Sequence, residues 1–161
     1  VRAYIDKLLE AAGALPPAAE SEPAPAPRDP KYDQVEAAIE AGEYDAAIEG
    51  YQAILKAEPG DQVARVGILN VELIKRTDGI NFDEELALPG ATLDEQMRIS
   101  DAEFLLGRYA DAFARLVTVV RDTDGADRAA ARERLIALFD IAGATDPAVV
   151  KGRTALANAL F

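Results

Sequence analysis

The chain has 161 residues, half of them hydrophobic, with 29 acidic against 17 basic side chains and a formal net charge of −12. That length suits one domain with an extra tail, and the negative field excludes nucleic acid and anionic lipid as partners. The absence of Cys and His removes disulfides, thiolate metal sites, thiol redox chemistry and the commonest general base, so neither a nucleophilic enzyme nor a bound cofactor or metal is expected.

Ala, Leu, Glu and Arg dominate and aromatic residues make up only 6%, which favours an all-α fold. No apolar run reaches the roughly 18 residues of a membrane span, and no signal-peptide pattern is present.

Residues 1–12 read as a short amphipathic helix, with Val1, Tyr4, Ile5 and Leu8 on one stripe. About two turns are not stable alone, so this helix requires a partner. The chain opens at Val1 inside that pattern, and a piece of a longer protein is expected. Residues 13–30 carry Pro16, Pro17, Pro23, Pro25, Pro27 and Pro30 among Ala, Glu and Ser. Such a segment has little to bury and reads as a linker. A proline-rich recognition motif is the weaker reading, because no P-x-x-P element is flanked by a fitting basic residue except near Arg28.

The domain proper is expected over residues 31–161. Tyr32, Val35, Ala38 and Ile39 form the buried stripe of a first helix ending at Gly42. The next helix runs to a stop at Pro59. Asp45 is expected to cap it, and Ala47, Ile48, Tyr51, Ile54 and Leu55 share its inner face. Asp61 is expected to cap a third helix carrying Val63, Val66, Leu69, Asn70, Leu73 and Ile74, broken at Thr77-Asp78-Gly79. A short or irregular helix follows over residues 79–90. Thr92-Leu93-Asp94-Glu95 is a capping box, opening a helix that carries Ile99, Ala102, Phe104 and Leu106 and ends at Gly107. Its partner runs through Val117, Val119 and Val120. A further helix over 128–142 places Ala131, Leu135, Leu138 and Phe139 inward and stops at Gly143. Asp146 with Pro147 is a helix start, and the last helix reaches Phe161.

The pattern Gly42-x-Tyr44-x-x-Ala47 returns as Gly107-x-Tyr109-x-x-Ala112, 65 residues later. That offset is close to two periods of roughly 34 residues, the tetratricopeptide spacing. The expected fold is an all-α, tetratricopeptide-like helical solenoid of about three helix pairs with a degenerate second repeat.

The run of residues 127–143, then Asp146-Pro147, then residues 153–161 resembles the C-terminal end of the bacterial thioredoxin-like co-chaperones called chaperedoxins (YbbN type). Residues 42–59 and 107–116 are similar to their repeat region, and residues 1–9 to the final helix of their thioredoxin domain. The resemblance implies a cytoplasmic bacterial protein that holds unfolded clients and passes them to larger chaperones, including a chaperonin of GroEL type. The family's thioredoxin-site cysteines have no counterpart in this sequence, so no redox role passes to any residue. The alternative function is a structural scaffold or oligomerisation module that positions an N-terminal domain.

The acidic runs Asp83-Glu84-Glu85 and Asp122-Thr123-Asp124 lack calcium-loop spacing and read as solvated surface. Asp94 and Asp101 face roughly one way on their helix, but a carboxylate pair alone is weak support for acid–base work. The groove positions that clamp a peptide carboxylate in some tetratricopeptide domains hold Tyr32, Glu36, Val66, Asn70, Met97 and Asp101, of which only Asn70 suits an anion, so no carboxylate clamp is expected. An apolar peptide groove would use Tyr32, Ile39, Asn70, Leu73, Met97 and Phe104. The same apolar side chains serve equally as core between stacked repeats, which is the favoured reading. On the last helix, Val149, Arg153, Leu156 and Leu160 form one stripe and Val150, Ala157 and Phe161 another. The inward stripe caps the solenoid. A partner-docking helix would use Val149, Lys151, Arg153, Leu160 and Phe161. The family resemblance points to the same helix, because the C-terminal helix of chaperedoxins is implicated in contacting the chaperonin.

Overall fold

A computed structural model describes residues 29–160. The helix expected over 1–12, the linker up to residue 28, and Phe161 lie outside the described residues. Within them there are eight α-helices and no strand, as the helical periodicity requires. The chain divides into two compact units, Val1–Arg76 and Thr77–Phe161.

In the first unit a 3-10 turn, Pro30–Tyr32, leads into α1, Asp33–Glu40. Gly42 then takes a positive φ of 75°. Without a Cβ it adopts the left-handed conformation that ends a helix. The chain reverses into α2, Tyr44–Ala57, which packs on α1. The core of this unit includes Tyr32, Val35, Ile39, Ala47, Tyr51 and Ala64, all buried. Asp45 does not cap α2: Glu43 holds the cap position without a side-chain bond, while Asp45 sits in the first turn and binds Lys75 Nζ at 2.5 Å. Its charge there still suits the positive helix end. The third helix, α3, is Gln62–Thr77, and Asp61 caps it by accepting from the Ala64 N–H at 2.9 Å. On α3, Leu73 and Ile74 are buried, and so is Asn70, a candidate groove residue; Val63 is 40% exposed, and Ala64 and Val71 take core positions.

The second unit starts with the degenerate stretch, which forms the five-residue α4, Phe82–Leu86, capped by Asn81. Helix α5, Leu93–Leu105, opens on the expected capping box. Thr92 Oγ1 accepts from the Glu95 N–H at 3.2 Å, and Glu95 Oε2 accepts from the N–H groups of Ala91 and Thr92 at 2.7 and 3.3 Å. Gly107, φ 77°, repeats the Gly42 turn into α6, Tyr109–Asp122. Helix α7 is Gly125–Ala142, one turn longer at its start than the apolar pattern indicates, and α8 is Pro147–Leu160. Asp146 caps α8, accepting from the Ala148 N–H at 2.7 Å.

Helix α6 is the centre of this unit and packs on α5, α7 and α8. Phe113 on α6 meets Phe139 edge-on at 4.8 Å between ring centroids and lies 6.2 Å from Phe104, geometries that aromatic quadrupoles favour. Leu116, Val120, Leu135, Leu138 and Val149 complete a fully buried layer. Leu106, at the end of α5, is 45% exposed.

Three carboxylates on α4 and α5 are buried, and each receives a guanidinium. Glu85 pairs with Arg98 and Asp101 with Arg134. Glu103 holds Arg115 through two parallel bonds of 2.7 and 3.0 Å, while Arg115 also reaches Gln96 Oε1 at 2.9 Å. Burial of a carboxylate demands this kind of partner.

Candidate protein-docking surfaces

In the first unit, Tyr32, a candidate groove residue, is only 8% exposed. Its hydroxyl donates to Asp61 Oδ2 at 2.7 Å, and Lys31 Nζ lies 5.2 Å from its ring centroid. Burial, and then the bond to Asp61, push the Tyr32 hydroxyl up to about 12. Asp61 moves the other way. Burial alone would raise it, but the hydrogen bonds from Lys31, the Ala64 N–H and Tyr32 outweigh that and hold it at about 2. Lys31 also binds Glu58 at 2.8 Å, so this polar knot ties the 3-10 turn to the α2–α3 connection. Ile39 and Leu73 are buried, and Asn70 donates from Nδ2 to the Val66 carbonyl at 3.0 Å.

In the second unit, Phe104 is buried and stacks on Tyr109 at 4.6 Å, while Met97 is half-buried. Ile39, Leu73 and Phe104 therefore present almost no side-chain surface to solvent. Of the two aspartates on α5, Asp101 is committed to Arg134, and Asp94 lies 3.7 Å from Arg98.

Helix α8 divides its residues differently from the expected stripe. Val149 cannot serve the docking face expected of it, because it is fully buried and turns inward with Gly152 and Leu156, whereas Arg153 is exposed and Leu160 is 36% exposed. Gly152 takes an inward position because the rings below leave no room for a side chain: a Cβ on it would lie 2.7 Å from Phe139 Cε1 and 3.4 Å from Phe113 Cδ2. Only the spacing of Gly152, three residues after Val149 and four before Leu156, could have signalled this. Arg153 lies across the outer side of the Phe139 ring, 5.9 Å from its centroid, and 3.6 Å from Asp140.

The outer face of α8 carries Val150, 56% exposed, with exposed Ala157, Lys151 and Arg153. Alone among the eight helices, α8 contains no Asp or Glu. This face thus sets the apolar Val150 and Ala157 beside two cations on an otherwise acidic protein. Among the described residues no cluster of three or more His, Cys, Asp or Glu could hold a metal ion, and no helix is long and apolar enough to cross a membrane.

A family model for the tetratricopeptide repeat matches residues 75–161. Uncharacterised proteins of Mycobacterium bovis and of two Mycobacterium tuberculosis strains are 37% identical over 164 residues, covering 98% of this chain and 53% of theirs. The chain thus spans about half the length of these relatives. No solved structure matches it. The paired helices, their glycine turns and the family match agree: the chain belongs to the tetratricopeptide repeat family, whose domains are non-catalytic modules for protein–protein interaction.

Proposed function

We propose that this chain is the partner-docking module of a cytoplasmic, thioredoxin-like co-chaperone, holding unfolded client proteins and docking to a chaperonin of GroEL type. The observation that carries the docking role is the outer face of α8, where Val150 stands 56% exposed beside Lys151 and Arg153. A helix face with an apolar centre and charged flanks is a common form of helix recognition, and its positive charge suits an acidic partner. The co-chaperone assignment draws on the resemblance of residues 127–161 to chaperedoxins. The relatives' greater length leaves room for a further domain, which favours a second reading in which the repeats chiefly position that domain.

Isothermal titration of the purified 161-residue chain against a purified GroEL-type chaperonin, and separately against a chemically denatured client, tests the proposal. Saturable binding of either supports the co-chaperone reading. No binding of both removes it and leaves the scaffold.

A further inference from the structure

The first unit carries a groove that complements α8. It is an open crevice of about 400 Å³ between α1 and α2, lined by Gln34, Val35, Ala37, Ala38, Ala46 and Gly50, with Glu43 beside them. Gly50 keeps the groove narrow at its base, since a Cβ there would meet Val35 Cγ2 at 2.7 Å. The exposed Ala37 and Ala46 keep part of its wall low, while the exposed amide of Gln34 also lines it, so an occupant needs a small ridge with a hydrogen-bonding group. Helix α1 also bears exposed Asp33 and Glu40, so the surroundings of the groove are acidic.

The ridge of α8 has the matching form. Val150, Thr154 and Ala157 follow each other at helical spacing and are all exposed, and Lys151 and Arg153 flank them. Arg153 shares its charge with Asp140 at 3.6 Å; Lys151 is exposed to solvent. We propose that α8 of one molecule seats in the α1–α2 groove of a second copy of this chain. The proposal rests on the reading of α8 as a docking helix and names an occupant for it. The contact is heterologous: the two surfaces are different, so each molecule keeps one free groove and one free helix unless the chain of contacts closes into a ring. Self-association and partner binding then compete for the same α8 face, and free partner would dissolve the assembly.

Sedimentation equilibrium of the 161-residue chain over a wide concentration range tests this. The expected result is a mass that grows with concentration, and less so at high salt, because the flanking charges are exposed and screened. Glu43→Lys alone and Lys151→Glu alone each weaken association by about tenfold or more, and the double variant recovers at least part of it. Thermal melting of each variant confirms that it is folded. A wild-type chain that stays monomeric throughout, or association that neither reversal moves, overturns the proposal. A monomeric chain that still binds chaperonin or client sinks only this inference, whereas self-association without either binding sinks only the co-chaperone reading.

Discussion

Tyr51 of α2 lies on Gly67 of α3 so closely that a Cβ at Gly67 would stand 2.4 Å from Tyr51 Cζ. The second unit repeats the device with Phe139 on Gly152, where the distance would be 2.7 Å. Glycine inside a helix costs about 0.5–1 kcal/mol relative to alanine. Both helices accept that cost because an aromatic ring occupies the space a methyl group would need.

Gly67→Ala and Gly152→Ala should therefore each destabilise the fold, by about 1–3 kcal/mol, the usual effect of overpacking, despite the better helix propensity of alanine. Urea titration followed by circular dichroism checks this. A gain in stability from either variant would show that the rings move aside freely.

The caps distinguish three carboxyl and hydroxyl groups that look alike in sequence. Thr92→Ala and Asp146→Ala remove side chains that accept helix N–H groups, so each should cost about 1 kcal/mol. Asp45→Ala removes only an exposed ion pair with Lys75 and should cost less than about 1 kcal/mol. Equal losses from Asp45 and Asp146 would assign Asp45 a capping role it lacks in the structure.

These sites also mark how far the sequence could be read. The turns at Gly42 and Gly107, the capping box at Thr92 and the start at Asp146 were legible because each is a local device within a few residues. The inward faces of α5 and α7 were largely legible from their period. Val63 and Leu106 fit the same period but lie at helix ends, where neighbouring helices no longer cover them. The ion pairs Asp101–Arg134 and Glu103–Arg115 join different helices, so no local spacing announces them. On α8 the stripe containing Val150 and Ala157 was visible, but the inward place of Gly152 was not, because Phe139 and Phe113, distant in sequence, select it.

Stability should fall at both ends of the pH scale. Asp61 is held at about 2, below its ordinary 3.8. Its contribution is thus complete above pH about 4 and is lost as pH falls towards 2. Tyr32 and Tyr51 are raised from 10 to about 12, both chiefly by burial. Their contribution is complete below pH about 10 and is lost as pH rises towards 12. Asp61→Asn should flatten the acid limb and leave most of the alkaline limb, measured by urea midpoints across pH. An unchanged acid limb would mean that Asp61 is not the group responsible.

Arg115 clamps Glu103 with both of its parallel bonds, and the Glu103 side chain is only 8% exposed. Arg115→Ala leaves that carboxylate buried without its counter-ion and should cost about 3–5 kcal/mol. Arg115→Lys keeps the charge but loses the fork, and should fall between wild type and the alanine variant. Chemical unfolding of the three proteins ranks them; a lysine variant as unstable as alanine would show that the fork geometry, rather than the charge, carries the pair.

Matched substitutions on two exposed valines test the docking face of α8. Val150 on α8 and Val63 on α3 are both exposed, 56% and 40%, so an aspartate at either should leave the fold intact. Titration of purified GroEL-type chaperonin into each variant gives the comparison directly. Val150→Asp should weaken binding by at least tenfold with an unchanged melting temperature, while Val63→Asp binds as the wild type does. Equal binding by the wild type and Val150→Asp would contradict the assignment of the docking face to α8.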